Sequence, residues 1–270
     1  MSAAAHAFDA AVALDPGEDG TWQGRTHAAW ANMIGTYGGI TAAQMLQSVL
    51  LHPQLLGEPV ALTVNFAAAV AQGGFTLRPR SARTNRSTQH WTVELLQGDA
   101  VVATSTAVTA VRRATWGMQE AAAPVAPRPA DTPRTLRRGT EWVQRYDLRY
   151  LEGDVPRSWD GQDSGTSLSR LWVRDDPPRP LDFASLTALA DVFFPRLWLR
   201  RARLAPLGTV SMTVYFHASG EQLRGTGDGW LLGQAQGHGF GRNFLDQSGL
   251  LWNEAGELLA TTHHVMYNKE

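Results

Sequence analysis

The chain contains no cysteine. That removes disulfides, a thiolate nucleophile and every zinc site built on Cys, and it agrees with a reducing compartment. Long apolar runs are missing as well, and no window approaches the ~18 consecutive apolar residues of a membrane-spanning helix. The opening stretch MSAAAHAFDAAVALDPGEDG has no basic segment ahead of its apolar residues and is broken by Asp9 and Asp15. No signal peptide is expected, and a cytoplasmic location is. An excess of one charge is lacking too. The 24 Lys and Arg against 25 Asp and Glu leave a formal net charge of −1, which gives no bulk attraction to nucleic acid or to an anionic membrane. Neither is expected as a partner. There is no G-x-S-x-G nucleophile elbow, no H-E-x-x-H pair and no Walker sequence. GTGDGW, 225–230, carries Trp230 where a dinucleotide fingerprint would place its last glycine, and is expected as a turn. The eight histidines are scattered apart from His263 and His264, so no metal site is expected.

What is present is a repeat. The 270 residues, 43% of them hydrophobic, supply ample material for a core. VALTVNF (60–66) has a partner in VSMTVYF (210–216), with Val60/Val210, Thr63/Thr213, Val64/Val214 and Phe66/Phe216 matching at an offset of 150. Further on, GDAVVATST (98–106) parallels AGELLATTH (255–263). Between the halves lies a Pro- and Ala-rich segment without helical or strand periodicity, a linker or a crossover draped on the surface. The expected organisation is residues 1–112, a linker at 113–139, and residues 140–270.

Periodicity gives the elements of each half. A helix is expected over 40–51, then strands over 63–70, 74–83, 89–97 and 101–111, with QGDA at 97–100 as a hairpin turn. In the second half a long helix is expected over 182–203, bent at Pro195, then strands over 208–217, 230–237, 243–253 and 258–268. Antiparallel strands around one long helix per half make an α+β architecture, helix on sheet. Each half would leave an open sheet edge, which two related halves cover by pairing.

The ordered series of Trp30, Gly38-Gly39, a helix, LTVNFAAAVAQGG, the basic turn RTNRST, an aromatic strand and GDAVVATSTAV resembles the N-terminal half of TesB-type acyl-CoA thioesterases, the double-hotdog group. LTALAD, TVSMTVYFH and GLLWNEAGELLATTHHVMY resemble its C-terminal half. The resemblance covers nearly all of residues 20–268, apart from the linker. It implies two antiparallel sheets, each wrapped around a long central helix and joined into one continuous sheet. It also implies hydrolysis of acyl-CoA to free acid and CoA, with the CoA thioester as substrate, no separate cofactor, and a homodimer by analogy.

The same resemblance implies a catalytic set of Asp, Thr or Ser, and Gln. Asp191, at the end of LTALAD, matches the first and Thr209 the second. The Gln is absent from ATTHHVMY, where His264 stands without a gap, or His263 or Thr262 with a shift. Asp191 sits among apolar residues, as a desolvated base would, though a helix-face carboxylate in solvent reads the same locally. Gly38 and Gly39 open a helix where Ser, Thr, Asp or Asn is the better cap. Either the helix packs too closely for a Cβ, or bare amides there serve a thioester oxygen or a phosphate. Arg83 and Arg86 are candidates for the phosphates of CoA, within a wider set of Arg78, Arg80, Arg196, Arg200, Arg201 and Arg203. Trp91, Phe193, Phe194 and Trp198 are candidates to line an acyl channel. The rival readings are a hotdog enoyl-thioester hydratase and a non-catalytic acyl-CoA or lipid-binding module.

Overall fold

The structure, a computed structural model, describes residues 5–135 and 139–269, so positions 136–138 of the expected linker lie outside it. The strands are β1 (Asp15–Pro16), β2 (Trp22–Arg25), β3 (Glu58–Phe66), β4 (Gly74–Thr84), β5 (Thr88–Gln97), β6 (Ala100–Ala110), β7 (Tyr146–Glu152), β8 (Ser169–Asp175), β9 (Leu207–Phe216), β10 (Leu231–Gln236), β11 (Phe240–Gly241), β12 (Phe244–Asn253) and β13 (Leu258–Asn268). The helices are α1 (Ala7–Val12), α2 (Gly38–Leu50), α3 (Phe183–Leu189), α4 (Leu197–Arg200) and α5 (Gly220–Thr226). All strands join one antiparallel sheet in the order β1-β2-β4-β5-β6-β3-β9-β13-β12-β10-β8-β7, with β11 on β12. This is a double hotdog. Among the described residues no helix is long and apolar enough to cross a membrane.

The repeat explains the joint. β3 and β9, the two strands that match in sequence at an offset of 150, pair with Thr63 facing Thr213, Leu62 facing Val214 and Val64 facing Met212. Equivalent residues therefore meet at a pseudo-two-fold axis, where the two threonine hydroxyls lie 3.0 Å apart. Each half lends the other its open edge, and no interior edge is left unpaired. Arg112 ties both strands, donating to the Pro59 carbonyl at 3.0 Å and to the Phe216 carbonyl at 2.7 Å. The segment that follows is strapped to the C-terminal half. The Trp252 and Trp172 indoles donate to the carbonyls of Ala121 and Pro127, both at 2.9 Å. Ala123 and Ala126 pack on Trp172, Trp230 and Leu232.

Two expectations need correction. The helix expected over 182–203 stops at Leu189, and only the short α4 follows. Its start is a capping box, Asp182 accepting from the Ser185 amide and the Ser185 hydroxyl serving the Asp182 amide. Beyond Leu189 the chain is drawn down onto the sheet by Phe193, and Pro195 bars an immediate return to helix. The central helix is thus long only in the N-terminal half, and α3 packs against α2. The strand expected over 63–70 runs instead from Glu58 to Phe66. The strands β7 and β8, which extend the C-terminal edge, had no expectation behind them. GTGDGW ends α5, with the turn glycine Gly227 at φ 59°.

Asp175, at the end of β8, lies across from Tyr146 and is 4% exposed. Burial pushes its carboxyl up to about 7, opposed in part by Arg179. The folded chain therefore keeps this proton where the unfolded chain releases it. The stability it contributes is full below pH ~4 and is lost as pH rises through about 7. Asp175→Asn is expected to flatten that loss. Urea midpoints at pH 5 and pH 8 check it: the wild type falls more between the two than the variant, and equal falls would refute the assignment.

Candidate active site

The first turn of α2 has no side-chain cap. Its N-cap residue is Tyr37, whose side chain makes no capping hydrogen bond. Thr41 is the first residue whose amide bonds back, to the Tyr37 carbonyl at 3.3 Å. The amides of Gly38, Gly39 and Ile40 are left as helix-terminal donors, an environment that favours negative charge. Tyr37 has another task. Its ring stacks on Trp142 at 4.1 Å and on Trp30 at 6.3 Å, and its hydroxyl donates to the Ala188 carbonyl at 2.8 Å. Burial, and then the charge of Asp191, hold that hydroxyl well above the usual tyrosine range, so it stays a donor. The aromatic stack thus pins the start of α2 to the end of α3.

Close packing, one of the two explanations of the glycine pair, applies at both positions. A Cβ on Gly39 would come within 2.7 Å of the Ala188 carbonyl oxygen and of the Tyr37 ring. A Cβ on Gly38 would stand 2.9 Å from Asp191 Oδ2. Gly39 lets the helices touch, and Gly38 leaves room for a carboxylate beside the helix start.

Asp191 lies just past the C-terminus of α3 rather than on it, and is 9% exposed. Its position is set by Phe193. That ring lies over Gly233 and Gly249, where added Cβ atoms would approach it to 3.0 Å and 2.8 Å. On the sheet side, β13 alternates: Thr262, His264 and Met266 are buried, and His263 and Val265 face out. His264 is the inward histidine, fully buried, with Nδ1 3.3 Å from Asp191 Oδ1. Its Nε2 lies 2.7 Å from the Thr262 hydroxyl and 3.3 Å from the Ala190 carbonyl. His263 faces the opposite side and meets Asp246 at 2.9 Å. The structure thus brings together Asp191, His264, Thr262 and the start of α2.

Thr209 sits close by without touching them. It pairs with Met266 across a bulge, while Met212 pairs with His264, so Thr209 shares the inner face one step along. Its hydroxyl makes no hydrogen bond to Asp191 or His264 among the described residues. Gln247 escaped the sequence reading. It is 1% exposed, is the Cα partner of His264 on β12, and donates weakly to the Phe193 carbonyl at 3.4 Å. The signal was there: Leu245, Gln247, Gly249 and Leu251 alternate along β12, which puts a glutamine in phase with the core.

The arginines do not gather at Asp191. Arg83 bonds Asn85, and Arg86 lies in the exposed β4–β5 turn. Gln89, just past that turn, bonds Gln54 and Leu56 in the loop leaving the far end of α2, a helix that spans roughly 20 Å. Arg78 and Arg80 line a hollow of about 350 Å³ on the outer face of the N-terminal half. Arg196 is fully buried, donating to the Phe194 carbonyl at 2.9 Å and to Ser169, and burial lowers it to about 10. Arg200 pairs with Asp163 at 2.8 Å. Arg201 instead joins Arg242, Phe244, Leu245 and Asn268 around a hollow of about 180 Å³. Of the apolar candidates, Trp91 packs against His52 near the far end of α2, and Phe194 stacks on Trp198. Among the described residues no His, Asp and Glu are grouped to hold a metal.

Two family models match the chain, one in each half. Residues 26–110 match the model of the acyl-CoA thioesterase N-terminal domain, and residues 119–267 match that of the C-terminal domain. A hot dog fold protein of unknown function from Alicyclobacillus acidocaldarius is 43% identical, with a TM-score of 0.93 over 98% of this chain and 99% of that one. The acyl-CoA thioesterase II TesB2 of Mycobacterium marinum is 19% identical, with a TM-score of 0.77 over 97% and 98%. The TesB protein of Mycobacterium avium subsp. paratuberculosis is 18% identical, with a TM-score of 0.78 over 97% and 98%. No curated protein matches the chain.

Proposed function

The chain belongs to the acyl-CoA thioesterase family, and from that membership and the surroundings of Asp191 we propose that it hydrolyses acyl-CoA to a free carboxylic acid and CoA. The observation that carries the reading is the Asp191 carboxylate, withdrawn from bulk solvent and placed beside the uncapped start of α2. Thioester hydrolysis needs a base for water and a stabiliser for the oxyanion that forms. In this reading Asp191 takes a proton from water as the water oxygen bonds to the thioester carbon. The carbonyl electron pair moves to oxygen, where the amides of Gly38 and Gly39 act as donors. Collapse of the adduct expels the thiolate, which recovers the proton from Asp191. His264 is buried against the carboxylate, its Nδ1 3.3 Å from Oδ1, and Thr209 borders the path of the substrate.

That path starts at the hollow lined by Arg201, Arg242 and Asn268. From Asn268 the inner face of β13 leads through Met266 to His264, four residues or about 13 Å of extended strand. The two arginines at its rim suit the phosphates of CoA.

The test is thiol release from a panel of saturated acyl-CoA esters of increasing chain length. Turnover on at least one ester is expected. A protein that hydrates enoyl-CoA but leaves every saturated thioester intact would be the rival hydratase.

A further inference from the structure

Two buried polar atoms on the neighbouring strands β12 and β13 have no hydrogen-bond partner: His264 Nδ1 and Gln247 Oε1. They belong to residues that face each other across β12 and β13 on the inner face of the sheet. His264 Nδ1 approaches Asp191 at ion-pair distance without hydrogen-bond alignment. Gln247 Oε1 has no such neighbour to account for it.

An amide oxygen sealed from solvent with nothing donating to it is unfavourable, and an apolar side chain of like volume would remove the penalty. The other inward positions of β12 follow that rule, with Leu245, Gly249 and Leu251. Gln247 is the exception, and the carbonyl of Phe193 accounts for only one end of its amide. Its one hydrogen bond among the described residues sets its orientation. The Phe193 carbonyl can only accept, so the amide NH2 is turned to it and Oε1 is the free end. Phe193 lies two residues from Asp191, so the same turn of chain that places the base also places this acceptor.

The geometry points to Gln247 as the residue that positions the attacking water, its Oε1 accepting one O–H while Asp191 accepts the other. A water held by two acceptors has both hydrogens committed and presents a lone pair to the thioester carbon. Asp191 removes its proton as the C–O bond forms. Gln247 exchanges none and holds the remaining O–H until the thiolate leaves. This assignment rests on the hydrolase reading of Asp191.

The test uses the full chain with Gln247→Met and Gln247→Glu, scored by thiol release and thermal unfolding. Gln247→Met is expected to lower kcat about 10- to 100-fold, with KM within about threefold and Tm within a few degrees, because the change removes one orphaned acceptor and takes the donor from another, the Phe193 carbonyl. A merely structural glutamine would lose Tm instead. Gln247→Glu keeps an acceptor but sets a second carboxylate beside Asp191. It is expected to exceed the Met variant in kcat at high pH and to move the acid limb of kcat upward by about one pH unit. If Gln247→Met turns over at the wild-type rate, or loses kcat only in step with Tm while Gln247→Glu leaves the acid limb in place, the assignment is overturned. Should the wild type release no thiol and Asp191→Asn change nothing, the hydrolase reading falls first and takes this one with it. Should Asp191→Asn abolish turnover while Gln247→Met does not, only the role of Gln247 is lost.

Discussion

Asp191→Asn is expected to cut kcat on a saturated acyl-CoA by about 10²- to 10⁴-fold, the range a positioned general base contributes. The amide keeps the shape of the carboxylate, and both of its environments tolerate it. Oδ2 lies in the space that Gly38 leaves open, and Oδ1 faces His264 Nδ1. KM should change little, because the carboxylate acts on water rather than on CoA. Tm should hold, because the turn that carries Asp191 is fixed by Phe193 over Gly233 and Gly249, not by the carboxylate. The rival readings make different forecasts. A non-catalytic acyl-CoA-binding module would show saturable binding, no turnover, and no response to the substitution. Unchanged thiol release by the variant would remove Asp191 from the chemistry altogether.

Much of this site was legible in the sequence, and the parts that were not share a cause. Local pattern placed His264 and the outward His263 on opposite faces, because strand alternation needs only neighbours in sequence. The repeat foretold the meeting of the two halves, because like strands related by a two-fold axis come together at equivalent residues, as β3 and β9 do. The end of α3 was not legible. FASLTALADVFFP has helical periodicity throughout, and what breaks the helix is distant in sequence. Gly233 on β10 and Gly249 on β12 receive the Phe193 ring, and they do so only when those strands are assembled.

Gln247 was missed for a related reason. Alternation along β12 put it in phase with the core face, but its significance comes from the cross-strand register that sets it opposite His264. The arginines failed in the other direction. Side chains clustered in sequence at 78–86 and 196–203 are dispersed by strand alternation, burial and ion pairing to different faces of the molecule.

The two glycines that open α2 should separate catalysis from stability. Gly38→Ala puts a methyl group 2.9 Å from Asp191 Oδ2, and the atom it meets is the free end of a side chain that can rotate away. The fold should accept it, since alanine also favours the helix by up to about 1 kcal/mol. The displaced carboxylate is no longer aligned with its water, and misplacement near 1 Å costs on the order of 10²-fold in rate. Gly38→Ala is therefore expected to lower kcat by about 10- to 100-fold with Tm held. Gly39→Ala meets backbone instead, the Ala188 carbonyl at 2.7 Å, with the Tyr37 ring equally near. Neither can yield without parting α2 from α3, and overpacking of this kind costs about 1–3 kcal/mol. Its Tm should fall by several degrees. Parallel steady-state kinetics and thermal melts on the two variants decide the matter. Full activity in Gly38→Ala would mean that the space beside the helix start is not where Asp191 works, and the chemistry would have to be sought elsewhere on the inner face.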